Sequence, residues 1–165
     1  MRDHVTFLSD AFNKTEVKDN FINDDCFGED LAEWLISCLS LPAGFVVDPE
    51  PCQEDWGWEV LLSGNGEKIF VGIGQYEIDD QLGWMCFVKS EVPFYKSWFG
   101  VRSDVARRSI CAALHHALHT NQRITQIRWH HEQDFMKGNE SNWTERPDAE
   151  QSDARESPVG REFES

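Results

Sequence analysis

Histidines and carboxylates are the residues of this chain whose types and spacing bear on chemistry. Cys111, His115 and His119 recur every four residues, which lines one face of a helix. Two histidines at i and i+4 are a zinc-binding spacing. At 100° per residue, however, His115 and His119 fall away from the stripe of Ile110, Leu114 and Ala117, so they are expected on the solvent side with no enclosing ligand. His130 and His131 would join them only if the helix end folded back. His116 or His119 near a helix C-terminus is equally accounted for by the helix dipole. There is no HExxH, no GxSxG, no P-loop and no kinase signature, and Ser109-x-Cys111 has no base partner. No catalytic residue, metal ligand or cofactor is assigned on these grounds, and an enzyme is disfavoured.

The carboxylates are more telling. Glu54-Asp55-Trp56-Gly57-Trp58-Glu59 opens an apolar run, Gly64-Asn65-Gly66 supplies a tight turn, and Lys68 to Tyr76 returns to Glu77, Asp79 and Asp80. A turn centred near Asn65 pairs residues whose numbers sum to about 130. That register would bring Glu54 and Asp55 beside Gln75, Tyr76 and Glu77, with Asp79 and Asp80 just beyond and Glu50 approaching through its proline-bounded segment. Like charges gathered in this way need water, a cation or a basic partner. The spacing does not fit an EF-hand loop, and acids in wet loops lack the shifted pKa of a general acid or base. Solvated loops and a partner-binding surface are the readings that remain ahead of a metal or catalytic site.

The strands that would hold these acids have distinct faces. Ile69, Val71 and Ile73 share one parity and should pack on helices. Glu59, Leu61, Phe70, Gly72, Gly74 and Tyr76 should lie on the other face. Paired glycines inside a strand mark a bulge or a close approach, here by a side chain such as Trp98 or by a partner. The binding residues expected from this reading are Glu54, Asp55, Glu59, Tyr76, Glu77, Asp79 and Asp80.

The supporting elements follow from periodicity. Val5, Phe7 and Leu8 suit a short edge strand, and residues 13–26 read as a loop. A helix from about Gly28 to Leu39 carries Leu31, Trp34, Leu35, Cys38 and Leu39 on one stripe, with Glu29 and Asp30 in its first turn. Phe45-Val46-Val47 is a strand closed by Pro49 and Pro51. Trp84 to Lys89 is another. Residues 93–100 form an aromatic connection that lids the core edge. A second helix covers about Ser103 to His119 on Ala106, Ile110, Ala113, Leu114 and Ala117. Ile124 to Trp129 is a last strand that inserts beside an earlier one, with a parallel pairing open to it. The fold class is therefore α+β, a mainly antiparallel sheet of about five or six strands with two amphipathic helices on one face. Residues 1–137 make one domain, and 138–165 a disordered acidic tail.

The chain has 165 residues and a formal net charge of -15. That balance excludes a nucleic-acid binder and disfavours anionic membranes, whereas a basic protein partner is favoured by long-range attraction. The five cysteines are scattered, with no CxxC, and read as reduced thiols of a cytoplasmic protein. No secretion signal and no membrane-spanning run is visible. The oligomeric state is not encoded in any motif.

Glu54-Asp55-Trp56-Gly57-Trp58, Gly83-Trp84-Met85-Cys86-Phe87-Val88, Trp98-Phe99-Gly100 and Ile127-Arg128-Trp129 together resemble a class of small uncharacterised bacterial α+β proteins, over roughly residues 27–130. In size, charge and α+β make-up the chain is also similar to acidic immunity proteins of bacterial toxin systems. That likeness implies a non-enzymatic protein that binds and neutralises or regulates a basic protein, and it carries no catalytic residues. The alternative is a metal-dependent enzyme or small-molecule sensor using His115, His119 and the acidic hairpin end.

Overall fold

A computed structural model describes residues 1–91, 104–139 and 141–148. Among them the order is β1 (His4–Ser9), α1 (Glu29–Cys38), β2 (Phe45–Val47), β3 (Cys52–Glu54), β4 (Gly57–Gly64), β5 (Glu67–Ile78), β6 (Gln81–Glu91), α2 (Asp104–Thr120), β7 (Ile124–His130), α3 (Glu132–Met136) and β8 (Trp143–Thr144). One 8-stranded sheet runs β2-β4-β5-β6-β1-β7-β8, with β3 also on β4. Every pairing is antiparallel. The α+β class and antiparallel sheet match the expectation, while the described elements exceed it in number.

The central hairpin forms because Asn65 (φ 52°) and Gly66 (φ 76°) both take left-handed backbone. Two such residues match the twist of the flanking strands. Gly64 then pairs with Glu67 and Trp58 with Ile73. Alternation does the rest: Val60, Leu62, Ile69, Val71, Ile73, Trp84, Cys86 and Val88 are fully buried on one face. Leu31 and Leu35 of α1 and Ile110, Leu114 and Leu118 of α2 join them in one core. Trp84 and Trp129 are its largest fully buried side chains.

Three expectations change. β1 is no edge strand: it lies between β6 and β7, pairing Val5 with Cys86 and with Trp129. Its burial, interrupted only at the half-buried Leu8, reflects that central position. β7 enters beside β1 and is antiparallel to it. The chain past Lys137 also contributes to the sheet, since Trp129 pairs with Thr144 in β8 and the Arg2 N–H donates to the Pro147 carbonyl at 3.3 Å. The expected aromatic lid over 93–100 and the tail from 149 onward lie outside the described residues.

β7 contains a bulge. Thr6 pairs with Arg128 but Leu8 pairs with Thr125, so β7 carries one extra residue. Gln126 absorbs it with φ 52°. An extra residue flips side-chain parity. Ile124 and Trp129 both therefore reach the buried core although an odd number of steps separates them. Arg128 is left on the opposite face.

Candidate functional site

The β3–β4 connection decides where the acids go. Glu54 pairs with Gly57, so the chain reverses at Asp55-Trp56 instead of running straight into β4. Gly57 permits the reversal. Its φ is 154°, and a Cβ there would sit 2.1 Å from the Ile73 carbonyl oxygen. Glu54 and Asp55 consequently lie on the β3 side of β4, away from β5.

The predicted gathering of Glu54 and Asp55 with Glu77, Asp79 and Asp80 is not formed. Trp56 lies beside Gly74, as the 3.6 Å approach of its carbonyl to a built Gly74 Cβ shows. From Gly74 to Ile78 the strand advances about 13 Å at its usual rise. Asp79 and Asp80, both with left-handed backbone (φ 48° and 62°), form the β5–β6 turn at that far end. Asp79 is committed there. Arg128 holds it through both guanidinium ends, the longer contact at 3.3 Å, and draws its carboxyl below the ordinary range. Glu77 and Asp80 are exposed. The Tyr76 ring packs 5.0 Å from Phe135 of α3 and belongs to the covered part of the sheet.

A different negative corner takes the place of the predicted one. The segment 21–26 is tied to β3: the Ile22 N–H donates to the Gln53 side-chain carbonyl, the Gln53 amide donates to the Asn23 carbonyl at 2.8 Å, and the Asn23 amide donates to the Asp55 carbonyl at 3.3 Å. Asp25 and Asp55 then act on one thiol. Burial, with those two charges, pushes Cys26 up. Burial together with Glu54, Glu59 and Asp48 does the same to Cys52. Glu59 is raised by burial first, then by Glu54 and Glu91. Asp25 and Asp55 thus crowd Cys26, and Asp48, Glu54 and Glu59 crowd Cys52, at the β3 side of the sheet.

Apolar side chains accompany these acids. Ile22 is 84% exposed, Val46 64% and Trp56 46%. Trp56 leans on Phe87 (5.2 Å between ring centroids) and Phe70 (6.4 Å), and Phe70 meets Phe87 edge-on at 5.9 Å. Gly72 makes room for this cluster, since a Cβ there would lie 2.3 Å from the Phe87 ring. The expected close approach is thus internal at Gly72, where Phe87 makes it, while Gly74 has only the Trp56 carbonyl at ordinary contact distance; Trp98 lies outside the described residues. On the same face α3 covers only the other side: Phe135 lies 5.4 Å from both His4 and His130, and His4 stacks on Phe87 at 5.5 Å. Among the described residues nothing covers Trp56 and Val46. The rim also bears cations, Lys89 paired with Glu132 at 2.8 Å and Lys68 with Glu91 at 3.9 Å. Sequence reasoning missed Ile22 and Val46 because an isolated apolar residue in a loop or a short edge strand has no period to stand out from.

The histidines part company. His115 is not on the solvent side: it is half-buried and accepts a hydrogen bond at Nδ1 from the Trp129 indole at 3.3 Å. Burial, then the neighbouring His119 and Arg146, lower its pKa. His119 is exposed and stacks on it at 5.6 Å. His130 lies on the outer face against Thr6 Oγ1 at 3.0 Å, across the sheet from them. Among the described residues no group of three or more His, Cys, Asp or Glu side chains is placed to hold a metal ion. His131 does come to the His115 side, lining with it a cleft of about 800 Å³ between α2 and the segment 146–148. Cys86 and Cys111 are buried thiols, the latter pushed up to about 12 chiefly by burial, so neither offers a thiolate nucleophile.

No helix among the described residues is long and apolar enough to cross a membrane. Comparison with known protein families, with curated proteins and with solved structures found no match.

Proposed function

We propose that this is a non-enzymatic binding protein, immunity- or inhibitor-like in action, which takes a basic protein segment against the uncovered half of its outer sheet face. The observation that carries the reading is the coincidence of exposed Trp56 and Val46 with the Glu54, Asp55 and Glu59 field. Exposed aromatic and aliphatic anchors beside uncompensated charge of one sign are what an interface needs: apolar area for affinity, charge for steering and partner choice. Glu59 supports the same reading, because a carboxylate raised by burial and then by neighbouring Glu54 and Glu91 is relieved by an incoming cation. The metal-dependent alternative has less to stand on, since the acids lie on the outer face and His115 on the helix side.

The test is affinity capture from the native host with the unaltered chain, with Glu54→Lys/Asp55→Lys/Glu59→Lys, and with Trp56→Ala. A basic protein retained by the first and lost from both variants is the expected result, and its association rate should fall as salt rises. Retention of the same protein by both variants, or an association rate indifferent to salt, would sink the idea.

A further inference from the structure

Cations are scarce in this chain, with 15 Lys and Arg against 30 Asp and Glu. Several of them nevertheless converge on one concavity. The cleft beside α2 is lined by Arg108, Cys111 and His115 from the helix, Arg2 and His131 from the two strand ends, and Arg146 from the segment after β8. Asp148 is the acidic residue of the lining. Neither Arg108 nor Arg146 has a carboxylate at ion-pair distance among the described residues, whereas Arg107, one position earlier, is spent on Asp3 and Asp104. Concentrating positive charge in a concave, partly apolar site of a strongly acidic protein costs free energy through desolvation and mutual repulsion, which a bound anion offsets.

The donors have a definite pattern. Arg108 on α2 and Arg146 on the segment after β8 both line the cleft, and a planar guanidinium fork suits bidentate contact with phosphate or carboxylate. His115 accepts from the Trp129 indole at Nδ1, so its neutral ring carries the proton on Nε2 as a donor. His131 is the reverse. Its Nδ1 donates to the Met1 carbonyl at 3.0 Å, which leaves Nε2 as an acceptor while the ring is neutral. A donor and an acceptor beside two guanidinium groups match a phosphate monoester, whose singly protonated form offers one P–OH and anionic oxygens. Met1, Ala112 and Pro147 give the cleft an apolar wall, and its volume of about 800 Å³ is far more than one inorganic anion fills. Sites of roughly 300–1,000 Å³ take whole small molecules. A nucleic-acid strand does not suit it, because the remaining surface repels a long polyanion.

We propose that the cleft between α2 and residues 146–148 binds a small organic phosphate monoester, its phosphate between Arg108 and Arg146 and its body against Met1, Ala112 and Pro147. This site lies on the helix side of the sheet, away from Glu54 and Trp56, and stands independently of the function proposed above.

The experiment is calorimetric titration of the full chain, in buffer free of phosphate, with adenosine monophosphate, glycerol phosphate, inorganic phosphate, citrate and uncharged adenosine. Saturable binding of at least one of the two monoesters, tighter than inorganic phosphate and citrate and weakened about tenfold or more by Arg108→Ala and by Arg146→Ala, is the expected result. Both arginines are exposed, so the variants should keep the circular dichroism of the unaltered chain. No heat with either monoester up to millimolar concentration, affinity unchanged in both variants, or citrate binding as tightly as the monoesters would overturn the proposal. Glu54→Lys/Asp55→Lys/Glu59→Lys should leave the titration unaltered, which separates this outcome from the fate of the partner-binding face.

Discussion

His130 sits 3% exposed under α3, with Nε2 on Thr6 Oγ1 and no partner for Nδ1 among the described residues. Burial, then the nearby His4, Arg128 and Arg2, lower its pKa to about 4. The folded chain therefore binds fewer protons here than the unfolded chain, whose histidine titrates near 6.5. Stability from this residue is complete above the unfolded value and is lost as pH falls toward 4, a change on the order of 3 kcal/mol. Asp3 acts in the same direction. Burial opposes its charge, but the 2.9 Å hydrogen bond from His4, with Arg107 close by, carries its carboxyl below the ordinary value. That contribution also disappears as acid protonates the group. His130→Gln keeps an amide for Thr6 and removes the titration. The loss of Tm between neutral and mildly acidic pH should be clearly smaller in this variant, as read by thermal unfolding at several pH values. An equal loss in both proteins would place the acid sensitivity elsewhere.

At the scale of elements, the β7 bulge is the feature most exposed to a single substitution. A left-handed glutamine costs about 1 kcal/mol relative to glycine at the same backbone angles. Gln126→Gly should therefore stabilise the fold by up to about 1 kcal/mol, and Gln126→Val, β-branched in that region, should destabilise it by about 1–2 kcal/mol. Urea unfolding of the two variants measures both signs. Local signals of this kind also explain what could be read in advance. Asn65-Gly66 fixed the β4–β5 hairpin, and alternation separated Ile69, Val71 and Ile73 from Phe70 and Gly72, because both depend on neighbours in sequence. The reversal at Asp55-Trp56 was not legible. Its cause is the room at Gly57 over the Ile73 carbonyl, a contact between two strands. The same holds for His115, which a helical wheel puts in water and which Trp129 of β7 and the segment 146–148 flank. The burial of β1 between two partners was hidden for the same reason: the nearest of its partners in sequence, Trp84 opposite Phe7, comes only after α1 and β2 through β5.

Across the whole molecule the charge is divided unevenly. The bulk of the surface is acidic, Glu54, Asp55 and Glu59 intensify it at one edge, and the cleft beside α2 interrupts it with cations. Self-repulsion of a net charge of -15 opposes compaction, and salt screens it. Raising ionic strength with sodium chloride should raise Tm, because the exposed ion pairs that salt also weakens, such as Lys68–Glu91 at 3.9 Å, each contribute little. A thermal midpoint that falls over the same series would mean that attractive pairs outweigh the repulsion. The central place of β1 has a consequence during synthesis. The first strand leaves the ribosome early, yet both of its neighbours come late, and β7 ends at His130. At ordinary translation speeds it waits roughly 6–24 s for the second of them. Until then β1, even once β6 has paired with it, keeps its β7-facing edge open beside the partly covered Val5 and Phe7, so the nascent chain depends on whatever shields such surfaces in its host.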